Sequence, residues 1–288
     1  MSSESALNLE ALFSVSGKVA LVTGGSSGLG YMMAAGLLQS GAKVYIAARK
    51  AEKCQSAARQ LGHLGECIAL TADVTDPEQR QALVTELSVR ESAGLSILVN
   101  NAGANWGAVI DDYPDAAFDK VMSTNVNAVF ALTRDLLPLL KAAAKKEDPA
   151  RVVNIGSMDG LQVPIVQRVP TFAYSASKAA LHHLTRALAV DLAPDMITVN
   201  AVAPGFFPSK MTDYVIEQYR KDIEDDCPLG RLGQAEEIVG VLLYLCARSG
   251  AYTTGVVIPV DGGTSISKGS RSWQKNQSQS GQSWEKEL

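Results

Sequence analysis

From Lys18 to Asp261, short runs of apolar residues alternate with stretches long enough to form helices. Parallel strands cannot be joined by tight turns, and a helix is their usual crossover, so this alternation predicts βαβ units and a parallel sheet buried on both faces. Strands are expected at Lys18–Val22, Lys43–Ala48, Glu66–Ala72, Ser96–Asn100, Arg151–Gly156, Ile197–Ala203 and Val256–Asp261. Helices are expected after the first strand through Tyr31–Gln39, and at Pro77–Arg90, Ala117–Lys146, Tyr174–Asp191 and Ala235–Ala247. No repeat or linker interrupts the series. The expectation is one α/β domain of about seven strands, doubly wound, spanning 14–264 between an extension at 1–13 and a polar tail at 265–288.

Length alone would allow two domains in 288 residues, but 47% hydrophobic against 19% charged residues suits one large core. With 26 basic and 30 acidic residues the net charge is −4, which argues against nucleic acid or an anionic membrane as partner. Cys54, Cys67, Cys227 and Cys246 show no Cys-x-x-Cys spacing, and His63, His182 and His183 form no metal-ligand pattern with them, so no metal is expected. The start, Met1-Ser2-Ser3-Glu4, leads into no apolar run, and no stretch of 18 apolar residues occurs; a cytoplasmic location follows as the expectation. The tail is rich in Ser, Gln and Lys, which predicts flexibility, yet it carries Trp273 and Trp284. Those indoles offer a second reading, in which the tail docks on a neighbouring subunit or beside a substrate mouth.

Directly after the first strand stands Thr23-Gly24-Gly25-Ser26-Ser27-Gly28-Leu29-Gly30, opening into a helix. Glycines let the backbone approach a pyrophosphate, whose charge is favoured by the free N–H groups and dipole of the helix start. A dinucleotide suits this turn, and with it the fold expectation becomes a Rossmann-type sheet. At the end of the second strand, where an acidic residue would bind the ribose 2′-hydroxyl of NAD, the chain has Ala47-Ala48-Arg49-Lys50. Arg49, with Lys50 and the hydroxyls of Ser26 and Ser27, suits a 2′-phosphate instead, and the expected cofactor is NADP(H).

Tyr174 and Lys178 stand at i and i+4, neighbours on one helix face. Eight Tyr and 26 basic residues predict roughly 0.7 such pairs by chance, and Tyr45 and Arg49 indeed match, but on a strand, where that spacing does not align side chains. A phenol is a poor proton donor or acceptor at neutral pH, and a nearby ammonium stabilises its phenolate. Lys178 is expected to supply that charge in a closed cleft.

Taken in order, Thr23-Gly24-x₃-Gly28-x-Gly30, Asn100-Asn101-Ala102-Gly103, Asn125, Ser157, Tyr174-x₃-Lys178 and Pro204-Gly205 resemble the classical short-chain dehydrogenase/reductase family over residues 14–264. The resemblance implies that Tyr174 is the general acid and that Ser157 holds the carbonyl oxygen. It implies that Lys178 binds the nicotinamide ribose and lowers the Tyr pKa, and that Asn125 anchors a water of a proton relay. It further implies adenine contacts at Asp73 and Val74, a cofactor contact at Asn101, and a nicotinamide cradle at Val202, Pro204, Gly205 and Ser209. A homotetramer is implied as well. Two departures are visible: Ser157 and Tyr174 lie 17 positions apart, which enlarges the loop Met158–Phe172, and Ser209 stands where Thr is commoner.

The substrate pocket is expected beside the nicotinamide, with Trp106, Met158, Leu161, Val163, Phe172, Phe206, Phe207, Met211 and Tyr214 as an apolar wall. Phe206–Gly230 is expected to act as a helical lid. Within the family, Gly103–Gly107, Phe207–Thr212 and Ile258–Gly263 are most similar to rhamnolipid-pathway β-ketoacyl reductases and related fungal enzymes, which suggests NADPH-dependent reduction of a hydrophobic β-keto thioester or similar ketone. A secondary-metabolite or xenobiotic ketone reductase is the alternative, and a non-catalytic dinucleotide-binding regulator a more distant one.

Overall fold

The computed structural model describes residues 8–164, 169–210 and 212–267. Seven strands form one parallel sheet: β1 Val19–Thr23, β2 Lys43–Ala48, β3 Cys67–Thr71, β4 Ile97–Asn100, β5 Ala150–Ile155, β6 Ile197–Pro204 and β7 Val257–Val260. Their order is β3-β2-β1-β4-β5-β6-β7. The helices are α1 Leu9–Phe13, α2 Gly28–Gln39, α3 Ala51–Leu61, α4 Pro77–Arg90, α5 Asp115–Met122, α6 Ala128–Asp135, α7 Leu137–Ala143, α8 Phe172–Leu192, α9 Asp213–Asp226 and α10 Ala235–Cys246. None of the described helices is long and apolar enough to cross a membrane.

Side chains alternate across a strand, so a sheet covered on both faces needs apolar residues at every position. In β1, Ala20 and Val22 enter a core with α2, α3 and α10, while Leu21 enters a second core with α4, α6 and α8 on the opposite face. Every residue of β5 and β6 is buried. Arg151, at the start of β5, is buried too. It donates to the carbonyls of Leu245 and Ala247 at the end of α10 and to Pro149, and pairs with Asp148 at 3.0 Å, so it joins the sheet centre to the last helix. All four cysteines are free thiols, and Cys54 fixes α3 by donating to the Ile46 carbonyl at 3.4 Å.

The single expected helix over Ala117–Lys146 is instead a broken one. α5 runs into a wider π-type turn at Ser123–Asn127 and then into α6, and a break at Leu136 separates α6 from α7. Pro138, which has no N–H to continue the helical ladder, occupies the first turn of α7. Helix α3 was not among the expected elements. Its amphipathic face is only Cys54, Ala57, Ala58 and Leu61, a set too small and short to announce a helix. Trp273, Trp284 and the tail from 268 onward lie outside the described residues, as do most of the extension (1–7) and Met211.

Candidate active site

The chain reverses direction across the sheet between β1 and β4, and a crevice opens at the carboxyl ends of strands at such a point. One side chain joins these strands. Thr23 Oγ1 donates to the Val99 carbonyl and accepts from the N–H groups of Asn101 and Ala102, both at 2.9 Å, while the Asn101 amide donates back to the Thr23 carbonyl. The backbone comes so close here that a Cβ on Gly24 would lie 2.8 Å from the Asn101 amide nitrogen, and one on Gly30 only 2.5 Å. Gly24 and Gly28 also hold positive φ, at 67° and 56°. Only glycine meets both demands at position 24.

A cleft of about 860 Å³ follows. Gly24, Ser26, Ser27, Gly28, Leu29, Arg49, Lys50, Asp73, Val74, Asn101, Ala102, Gly103, Ser157, Tyr174, Lys178, Pro204, Gly205 and Ser209 all line it. Gly30 stands behind the turn, where its missing side chain makes room for Asn101. At the adenosine end Arg49 lies 3.9 Å from Asp73, and Asp73 itself is engaged by the Thr75 N–H and hydroxyl. Lys53, which sequence reasoning passed over, donates to Ser27 Oγ at 3.2 Å and shares the same wall. No local spacing hinted at it; it lies in helix α3, which the sequence pattern did not announce. This open, glycine-lined trough with cations beside Ser27 fits a phosphorylated dinucleotide.

The reactive end is assembled from three distant stretches. Asn125, almost fully buried in the π-type turn, accepts from the Ala104 N–H at 2.8 Å and donates to the Ala104 carbonyl and to Ser177 Oγ, both at 2.9 Å. The wider turn swings this side chain off the regular helical face, as such turns commonly do at working sites. Ser157 follows β5, and its Oγ accepts from the Asp159 N–H at 3.2 Å. On α8, Lys178 Nζ lies 5.4 Å from the Tyr174 ring centre and donates to the Ile155 carbonyl at 2.7 Å.

Burial and the nearby charge of Asp159 push the Tyr174 phenol up to about 12, against a lowering by its hydrogen bond with Ser157. Burial pushes Lys178 down to about 8, and Asp159 acts in the other direction. Burial, rather than the lowering expected from Lys178, is the dominant influence on the phenol. Asp159, also unnoticed in the sequence, has its carboxyl raised by burial to about 6. His182, one turn beyond Lys178, is buried with both ring nitrogens unpartnered, and burial lowers it to about 4.

The expected apolar substrate wall is only partly assembled. Phe207 is 2% exposed, and its ring fills the space over Gly233, so it is core that touches the cleft from behind. Met158 is buried, and Phe172 stacks edge-on against Tyr113 with ring centres 5.9 Å apart. Trp106, Leu161, Val163 and Tyr214 stand exposed, with Val163 at 82% and Tyr214 at 74%, and Phe206 is half-buried. The reason is physical: apolar side chains that no neighbouring element packs against stay exposed, whether they lie on a connection, as Val163 does, or on the outer face of a helix, as Tyr214 does on α9. α9, inside the expected lid, carries a kink at Tyr219.

The short chain dehydrogenase family profile matches residues 18–220. The rhamnolipids biosynthesis 3-oxoacyl-[acyl-carrier-protein] reductase of Pseudomonas aeruginosa is 46% identical over 253 residues, covering 87% of this chain and 97% of that protein. Gluconate 5-dehydrogenase of Gluconobacter oxydans is 34% identical, covering 89% of this chain and 98% of its own. Among solved structures, the Pseudomonas aeruginosa RhlG/NADP active-site complex superposes with a TM-score of 0.85 at 46% identity, over 88% of this chain and 99% of that one. Agreement over this length, on a sheet of the same kind, admits one assignment: the chain belongs to the short chain dehydrogenase family.

Proposed function

We propose that this protein is an NADPH-dependent ketoreductase that exchanges hydride between NADP(H) and a carbonyl or secondary alcohol, acting on a β-ketoacyl thioester or another hydrophobic ketone. The observation that carries the reading is the convergence of Ser157, Tyr174 and Lys178 on one wall of the glycine-lined cleft. NADP(H) supplies the hydride. The chain supplies the proton and the geometry. Tyr174 Oη gives its proton to the carbonyl oxygen, and Ser157 Oγ donates to the same oxygen, its own lone pair being occupied by the Asp159 N–H. Lys178 attracts the phenolate left behind, and Asn125 holds the Ala104 turn beside it. Gly24, Gly28 and the start of α2 would hold the pyrophosphate; Arg49 and Lys53 would hold the 2′-phosphate.

Several features support this reading over its rivals. The basic group at the end of β2 favours the phosphorylated cofactor, and the exposed apolar side chains Trp106, Leu161, Val163 and Tyr214 are in keeping with an apolar substrate. The reading includes a homotetramer and a catalytic unit of residues 14–264. The test is an NADPH-oxidation screen over β-keto thioesters, cyclic diketones, aromatic ketones and 5-ketogluconate. Turnover of the thioesters with a fall of about 10²–10⁴-fold in Tyr174→Phe supports it. Activity on the sugar acid alone, or full activity in Tyr174→Phe, would overturn it.

A further inference from the structure

Ser157 stands just past the reach of the sheet. At the end of β5 the Gly156 N–H donates to the Val202 carbonyl at 2.7 Å. The chain then enters the helical turn Met158–Gly160, where the Gly160 N–H closes on the Ser157 carbonyl at 3.0 Å and the Asp159 N–H on Ser157 Oγ at 3.2 Å. These last two bonds are local. They shape the turn without setting its distance from α8, which carries Tyr174.

That distance is set by two side chains one helical turn apart on α8. Lys178 Nζ donates to the Ile155 carbonyl at 2.7 Å, one residue before Gly156. His182, 3% exposed, meets backbone on both sides of Ser157. A Cβ on Gly156 would run into its Nε2 and lie 2.7 Å from its Cδ2, and a Cβ on Gly160 would lie 2.8 Å from its Cε1. The imidazole fills the room that two glycines leave, and Ser157 lies between those glycines in the chain. Neither ring nitrogen has a hydrogen-bond partner among the described residues, and burial keeps the ring uncharged at neutral pH, so its contribution to this contact is bulk. Protein interiors are close-packed, and the lining of a vacated space moves partway into it. Here one side of that lining is the regular backbone of α8, and the other is the short turn that carries Ser157.

We propose that His182 is a positioning residue, its ring the spacer between α8 and the end of β5 that sets where the Ser157 hydroxyl stands relative to Tyr174. The inference rests on Ser157 holding the carbonyl oxygen and Tyr174 giving the proton. A misplacement of about 1 Å in such a group costs on the order of 10²-fold in rate, so the volume of a ring that touches no substrate becomes visible in turnover.

The first test is steric and needs no substrate. Gly156→Ala should lower the urea midpoint of the full chain, and in a His182→Ala background it should cost less than about half as much, because the new methyl enters the space the ring vacates. Gly160→Ala, which also meets the α8 backbone at Lys178 and Ala179, should gain no such relief. The second readout is local order. Amide hydrogen exchange over residues 156–162 should quicken about tenfold in His182→Ala while β1 and β4 exchange as in wild type, and His182→Leu, of similar volume, should stay within about twofold. Kinetics on the carbonyl compound of the screen that wild type reduces fastest then separates positioning from packing. In His182→Ala, kcat should fall about tenfold with the KM for NADPH within about twofold, and His182→Leu should recover most of the loss. In a Ser157→Ala background, His182→Ala should add no more than about twofold. Equal costs of Gly156→Ala with and without the ring overturn the inference. So does exchange that quickens throughout the sheet or not at all, or full additivity of His182→Ala with Ser157→Ala. Should His182→Ala not fold, His182→Asn, a smaller truncation, gives the same comparisons. Full activity in Ser157→Ala removes the Ser157 reading instead, while the steric and exchange comparisons still decide whether the ring sets the turn.

Discussion

Lys53 and His182 show how much single side chains decide here. If Lys53 reads the 2′-phosphate together with Arg49, then Lys53→Ala should weaken NADP⁺ binding about tenfold by calorimetry and leave NAD⁺ unchanged, with Lys50→Ala nearly silent in both. Equal losses for the two dinucleotides would remove Lys53 from the phosphate site. His182 makes a prediction about pH. Its folded value of about 4 lies below the 6.5 of an unfolded chain, so it favours the fold fully above pH 6.5 and that share is lost as pH falls through 4. The share is on the order of 2–3 kcal/mol for a ring buried this deeply. Melting temperatures of His182→Gln and wild type across this range should converge toward the acid end, because glutamine does not titrate. Arg49 was legible in the sequence because a missing acid at the end of a strand is a local signal. The place of Asp159 was not, because it depends on Gly160 lying against Lys178, a contact 18 residues apart that no spacing encodes.

Elements were legible to the degree that their pattern was complete. β2 and α4 have the boundaries expected for them, the latter because Asp76 caps it through the Glu78 and Gln79 N–H groups and Pro77 opens it. The π-type turn was invisible, since Ser123–Asn127 reads as ordinary polar helix until Ala104 is seen to need a partner. Asn125→Ala removes three hydrogen bonds from a buried group and should cost about 2–4 kcal/mol, with kcat falling more than KM changes if the Ala104 turn orders the proton path. Denaturant titration and steady-state kinetics measure the two effects separately. The junction of the 158–160 turn with α8 is equally exposed to substitution: a Cβ on Gly156 would lie 2.1 Å from His182 Nε2. Gly156→Ala is expected to lose about 1–3 kcal/mol, checked by its denaturation midpoint.

On the scale of the whole molecule, the parallel order could be anticipated because alternating strand and helix segments leave few ways to bury a sheet on both faces. The arrangement of apolar side chains around the cleft could not, since Phe207 turns into the core over Gly233 while Val163 and Tyr214 face out. Sedimentation of the full chain is expected to give a tetramer, and deletion of 265–288 is expected to leave the mass of the assembly unchanged if the tail does not dock between subunits. A stable monomer would refute the proposed assembly. The two ends of β5 divide the labour of the molecule: at its foot Arg151 bolts the strand to the last helix, and past its head stands Ser157, the residue proposed to hold the carbonyl oxygen. Heating or mild denaturant should therefore quench catalysis through the covering segment around α9 well before the bench beneath it gives way, so that loss of turnover and loss of secondary structure would trace two separate curves.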